Sequence, residues 1–119
     1  MLFSACKWSG NDLKQEIQGK WVIDKVFEDG RDMSSRHNEK DDRYITFKPD
    51  GQFESGGGQG QNAGTYAIDE HQQSLMIDSD AGEGDDSHWL IYFYKNRMVW
   101  QGIGSDRQRS TQIYLSRSE

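Results

Sequence analysis

The repetition of short alternating segments is the feature that most constrains this fold. In segments such as "RYITFK" and "GTYAID", apolar and polar side chains alternate, and turn signals such as Pro49-Asp50-Gly51 separate the segments. This period of two, in short segments at regular spacing, is typical of a β-sandwich or β-barrel. The polar segment 28–42 has no apolar period and is predicted to be a long loop. We predict eight strands, at 20–27, 43–48, 52–55, 64–69, 74–78, 87–95, 98–103 and 110–117.

The connections between the predicted strands favour a closed barrel. Sequential hairpins need no long crossover, and closure removes exposed strand edges, which this chain protects with little proline. The stretch "DLKQEI" has a helical pattern instead, with Leu13 and Ile17 four residues apart on one face. We therefore predict an all-β fold with a short N-terminal helix. Residues 1–17 would form a tether containing that helix, and residues 18–119 an eight-stranded antiparallel up-and-down barrel.

Composition and motifs limit the classes of function. The formal net charge is −6, whereas a nucleic-acid surface is basic, so we expect no nucleic-acid partner. No zinc-type spacing of His and Cys and no Gly-x-Ser-x-Gly motif occurs. The acidic run 78–86 fails the EF-hand register, and we interpret it as a solvated turn. We expect a protein without catalytic residues, metal or cofactor.

The single cysteine, Cys6, excludes an internal disulfide bond. It ends the apolar, small-residue run "LFSAC", which resembles the lipobox at which bacterial lipoproteins are acylated. One interpretation is therefore a lipid anchor on Cys6 and a place in the bacterial cell envelope, facing the periplasm or the cell surface. The other is a short apolar tail.

Four motifs in order resemble the bacterial lipocalin-like domains of the lipocalin/calycin type. They are Gly19-x-Trp21, "ITFKPDGQF", "GTYAID" and the closing "YLSR", and the resemblance covers about residues 18–117. It implies an up-and-down barrel that binds a small hydrophobic molecule, often as a small lipoprotein. In that family the tryptophan of Gly-x-Trp lies at the closed end and a late arginine packs across it. The resemblance thus implies structural roles for Gly19, Trp21 and Arg117.

Two interpretations of the aromatic residues stay open at this point. An eight-stranded interior is narrow, so the rings either fill it completely or line a cavity for one small ligand. If the rings line a cavity, the protein is a non-enzymatic carrier of a hydrophobic molecule. If they fill the interior, the protein is a filled barrel that acts through its loops as an inhibitor or assembly factor. The candidate ligand-binding residues are Trp89, Phe93, Trp100, Tyr66 and Phe47.

Overall fold

The structure is a computed structural model, and it describes residues 12–37, 42–57, 61–80, 87–104 and 109–118. Within them, the chain forms mostly β-strands, with one helix before the first strand and a short second helix between two strands. The elements are α1 (Asp12–Ile17), β1 (Gly19–Glu28), β2 (Arg31–Asp32), α2 (Ser34–His37), β3 (Tyr44–Phe47), β4 (Gln52–Gly56), β5 (Asn62–Asp69), β6 (Ser74–Ser79), β7 (Ser87–Tyr94), β8 (Arg97–Gly102) and β9 (Thr111–Arg117).

The pairing of the first and last long strands closes the barrel. Each strand from β3 to β8 pairs antiparallel with the next strand in the chain, and β1 pairs with both β3 and β9. The barrel thus consists of eight strands, β1 and β3 to β9, in up-and-down order. The predicted fold class is confirmed, and the bounds of the eight predicted strands agree with those of the barrel strands to within two residues. No helix in the described part of the chain is long and apolar enough to cross a membrane.

The predicted loop 28–42 contains structure that its polarity concealed. Asp29 and Gly30 both have positive φ angles, 53° and 76°, as in a type I′ hairpin turn. The turn returns the chain as β2, which pairs with the end of β1. Helix α2 follows, and the backbone N–H of Ser34 donates to the Asp32 carboxylate at 2.9 Å. Both elements rest on turn and hydrogen-bond chemistry, so they leave no apolar period in the sequence.

A β-bulge in β1 changes which side chains face the interior. Strict alternation predicts Phe27 on the same face as Trp21 and Ile23. The pairing with β9 instead shifts between Ile23 and Lys25, and Val26 is buried. One extra residue in a bulge reverses the facing of everything after it. The prediction for Phe27 was wrong: its ring is only partly buried and packs on the outside.

One cluster of buried apolar residues lies inside the barrel and includes Ile17 of α1. The helix closes the end of the barrel where β1 begins, and both of its apolar side chains are almost fully buried. The buried apolar residues are Leu13, Ile17, Trp21, Ile23, Val26, Ile45, Phe47, Phe53, Tyr66, Leu75, Ile77, Trp89, Ile91, Met98, Trp100 and Leu115. We call the end beneath α1 the helix-covered end.

Candidate ligand-binding interior

The helix-covered end is built around Trp21 and Arg117. These residues are register partners on β1 and β9, and the guanidinium carbon lies 4.2 Å from the centroid of the Trp21 ring. Such a cation–π contact contributes roughly 0.5–2 kcal/mol, depending on desolvation. Gly19 lies beside them with φ +112°, and a Cβ there would come 3.1 Å from an Arg117 nitrogen. Glycine thus leaves room for the guanidinium in a backbone conformation that other residues rarely adopt.

The same two side chains donate to carbonyls in the last turn of α1 and just after it, which have no partner within the helix. The Arg117 guanidinium donates to the Glu16 carbonyl at 2.6 Å and to the Gln18 carbonyl at 2.9 Å. The Trp21 indole N–H donates to the Ile17 carbonyl at 2.8 Å. The positive charge of Arg117 also lies at the C-terminal end of α1, which is the negative end of the helix dipole. Trp21 and Arg117 therefore hold α1 over this end.

The other end of α1 is held by a carboxylate from the turn between β5 and β6. The backbone N–H groups of Leu13 and Lys14 each donate to the Glu70 carboxylate, at 3.1 Å. A carboxylate at a helix N-terminus satisfies free donors there. The helix is thus fixed at both ends, so a ligand path through this end would have to break these contacts.

Four aromatic side chains form a continuous chain of ring contacts inside the barrel, and we call them the aromatic cluster: Trp89, Trp100, Phe47 and Tyr66. The centroids of Trp89 and Trp100 are 5.4 Å apart, and those of Phe47 and Trp100 are 6.1 Å apart. Phe47 meets Tyr66 edge to face at 4.8 Å. All four are at least nine-tenths buried. The cluster joins both sides of the barrel, from β3 and β5 to β7 and β8.

The two indole groups of the cluster differ in hydrogen bonding. The Trp89 N–H donates to the Ser87 hydroxyl at 2.8 Å. The Trp100 Nε1 is buried, and no acceptor in the described part of the protein receives its hydrogen. A buried donor without an acceptor costs about 1–3 kcal/mol, and such groups are rare in native proteins. Among the described side chains, the Trp100 indole is therefore the buried polar group that lacks a partner.

Tyr66 is the cluster member whose polar group is satisfied by the backbone. Its hydroxyl donates to the carbonyl of Lys48, in the turn between β3 and β4, at 2.6 Å. Burial raises the pKa of this hydroxyl above its ordinary value, and the negative charge of Asp50 adds to the rise. Because the hydroxyl of Tyr66 already donates its hydrogen to this carbonyl, it has no free donor for a ligand. Its ring contributes to the packing of the cluster.

The structure brings four of the five predicted ligand-binding residues together and places the fifth elsewhere. Phe93 is only partly buried, and its ring lies 6.0 Å from that of Trp21, at the helix-covered end. Phe93 is thus part of the structural contacts at this end. Cys6 lies outside the described residues. Sequence reasoning proposed Trp100 as a ligand-binding residue but had no signal for its unpaired N–H.

A polar depression lies on the outer surface across β3, β4 and β5. It has a volume of about 510 Å³ and includes the carboxylates of Glu54 and Asp80. Its remaining walls are Tyr44, Ser55, Gln61, Asn62 and Ala63. None of these residues belongs to the aromatic cluster. This open, polar surface does not offer the enclosed apolar lining that is typical of small-molecule sites.

The comparisons with known proteins support the fold. No protein-family model matches the chain, and no curated protein is significantly similar to it in sequence. Among solved structures, the chain is similar to the crystal structure of a DUF4847 family protein from Bacteroides vulgatus. The TM-score is 0.63 at 14% sequence identity, and the match covers 86% of this chain and 94% of that chain. At this identity the likeness shows a common barrel fold and nothing about function.

Proposed function

We propose that the protein is a non-enzymatic, lipocalin-like barrel that binds a small hydrophobic molecule in its interior. The observation that carries this proposal is the aromatic cluster, with one buried indole donor lacking an acceptor. Small-molecule sites are typically apolar and aromatic with a few polar groups that orient the ligand. The motifs that resemble lipocalin-like domains, Gly19-x-Trp21 among them, support the same function.

The proposal extends to a bacterial lipoprotein held in the cell envelope through Cys6. Its support is the lipobox-like run "LFSAC" in the sequence. Incorporation of labelled palmitate in the native cell tests this part separately. Label on the wild-type protein that is lost in Cys6→Ser agrees with a lipid anchor, whereas equal labelling of both, or none, contradicts it.

A filled barrel that binds a protein is the second candidate. The ring contacts within the aromatic cluster are consistent with an interior that needs no ligand. In addition, several large apolar side chains are exposed on the outer face, and exposed apolar surface is a feature of protein interaction sites. They are Met76, Tyr92, Tyr94 and Tyr114. On this proposal the interior rings contribute stability alone, and no hydrophobic molecule binds with defined stoichiometry.

A titration of the delipidated protein with diphenylhexatriene separates the two candidates. This hydrocarbon dye fluoresces in an apolar site and needs no hydrogen bond. Interior binding predicts saturation at one dye per protein and at least tenfold weaker binding in Trp100→Ala, because the variant removes a ring of the cluster.

The matched control for this titration is Tyr94→Ala. Tyr94 is 69% exposed on the outer face, so its removal deletes an aromatic ring without touching the interior. Dye binding in this variant should equal that of the wild type. Non-saturating binding, or a loss in Tyr94→Ala with none in a folded Trp100→Ala, would place the dye on the outer surface and refute the carrier function.

A further inference from the structure

The chemistry of the ligand can be inferred from the one buried side-chain donor, among the described residues, that has no acceptor. This inference rests on the proposed function. Trp100 is only 4% exposed, and its Nε1 has essentially no solvent-accessible surface. An indole nitrogen is a donor only. A ligand that completes this group must therefore present an acceptor, such as a carbonyl, ester or ether oxygen.

The charges around the interior select a neutral acceptor over an anionic one. Among the residues whose burial is described, no lysine or arginine is buried; the buried polar side chains there are Ser74 and Ser79. The guanidinium of Arg117 is already engaged with the ring of Trp21 and the carbonyls of α1. A carboxylate desolvated beside Trp100 would have no counter-charge, which is strongly unfavourable. The net charge of −6 further opposes an anion.

We propose that the barrel selects neutral apolar molecules that carry a carbonyl or ester oxygen, and that this oxygen accepts a hydrogen bond from Trp100 Nε1. Free fatty acids in their ionised form are disfavoured. The hydrocarbon part of the ligand lies against the rings of the aromatic cluster, and the oxygen sets its orientation. The site requires no metal ion and no catalytic residue.

Binding requires a movement within the aromatic cluster. Because Nε1 is covered, an acceptor reaches it only when a neighbouring side chain shifts. In the cluster the ring of Trp89 is closest to that of Trp100, with centroids 5.4 Å apart. The hydrogen bond from Trp89 to Ser87, at the first residue of β7, is one contact that such a shift would break. The ligand thus gains a donor that the unliganded protein leaves unpaired.

Displacement of diphenylhexatriene by three probes tests this inference. Methyl octyl ketone, decane and decanoate have the same number of carbon atoms but carry a neutral acceptor, no acceptor and an anionic acceptor. In the wild type, the ketone should displace the dye at least tenfold better than decanoate at neutral pH. In Trp100→Phe, which keeps a ring and loses the donor, the ratio of ketone to decane affinity should fall about tenfold, as expected for a lost buried hydrogen bond.

The control variant is Trp89→Phe, because the Trp89 donor already has an acceptor. It should change the affinities of ketone and decane by similar factors. An unchanged ketone-to-decane ratio in Trp100→Phe, or decanoate binding as tightly as the ketone, would overturn the inference while leaving dye binding intact. Absence of saturable dye binding to the wild type would refute the proposed function and this inference with it.

A second measurement on the wild type makes the test independent of whether Trp100→Phe folds. The indole N–H signals are followed by nitrogen-15 NMR, and the Trp89 and Trp100 signals are assigned with the two variants or by their sequential contacts. The ketone should move the Trp100 indole proton downfield, and decane should not. Equal shifts with ketone and decane, or no shift with the ketone at saturation, would contradict a hydrogen bond to Trp100.

Discussion

Replacement of Arg117 by alanine should destabilise the barrel by about 2–4 kcal/mol. The guanidinium makes two charge-assisted hydrogen bonds, to the carbonyls of Glu16 and Gln18, and each is worth roughly 1.5–3 kcal/mol when buried. The contact with the Trp21 ring adds about 0.5–1 kcal/mol. The lower values together give about 3.5 kcal/mol, and because the Arg117 side chain is 29% exposed, screening by solvent reduces this sum. The ion pair with Glu16, at 3.5 Å and more exposed, is counted as negligible.

Urea denaturation followed by tryptophan fluorescence measures this loss, and a domain of this size is expected to unfold in two states. The dependence on urea should keep its slope while the midpoint falls. Arg117→Lys keeps the charge but lacks the planar fork, so it should lose about half as much. Arg97→Ala is the control, because Arg97 is exposed on β8, and it should change stability by less than about 0.5 kcal/mol.

A result within about 0.5 kcal/mol of the wild type for Arg117→Ala would refute the reasoning. It would mean that water replaces the guanidinium at the carbonyls of α1 without cost. The helix would then be held by the burial of Leu13 and Ile17 and by its hydrogen bonds with Trp21 and Glu70, without help from the guanidinium. A loss well above the expected range, with a changed slope, would instead mean that the variant no longer closes the barrel.

Two further substitutions test the packing of β5. Gly64→Ala should cost about 1–3 kcal/mol in urea denaturation, because its Cβ would collide with the backbone carbonyl of Asp78; an equal cost in Thr65→Ala, an exposed neighbour, would argue against this collision. Tyr66→Phe should cost about 1 kcal/mol near neutral pH through the hydrogen bond to Lys48. Because the pKa of Tyr66 is raised in the folded state, its neutral hydroxyl stabilises the fold fully below the unfolded value of about 10 and less as pH rises above it. The stability difference between wild type and Tyr66→Phe should therefore shrink above about pH 10, and a difference that grows there would contradict the sign of the shift.

The barrel itself was predictable because its signals are local. Alternation of apolar and polar residues indicated each barrel strand, and turn-forming residues such as Pro49-Asp50-Gly51 separated the strands. The pairing of β1 with β9 followed from the up-and-down order, since closure satisfies both edges. These features depend on periodicity and turns, which one sequence shows directly.

The errors arose where side-chain facing or polar pairing depends on distant residues. The bulge after Ile23 turned Val26 inward and Phe27 outward, and nothing in the alternation of β1 distinguishes the two registers. The hairpin at Asp29 and Gly30 carries a recognisable turn dipeptide, but the polar residues around it concealed the strand.

The candidate site was predictable in its residue types and not in its geometry. Alternation left open which rings of β7 and β8 face the interior, and Trp89 and Trp100 are among the buried ones. It could not separate Phe93, whose ring reaches Trp21, from the aromatic cluster. Nor does alternation show hydrogen-bond partners: one indole has a hydroxyl two residues away, and the other has no acceptor among the described residues.

Intermolecular NOEs test the central claim, interior binding, most directly. The protein is saturated with methyl octyl ketone, and contacts from its aliphatic protons to aromatic ring protons are recorded. The carrier function predicts contacts to Trp89 and Trp100 inside the barrel. Contacts confined to Tyr92 and Tyr94, which are exposed on the outer face of β7, would contradict it.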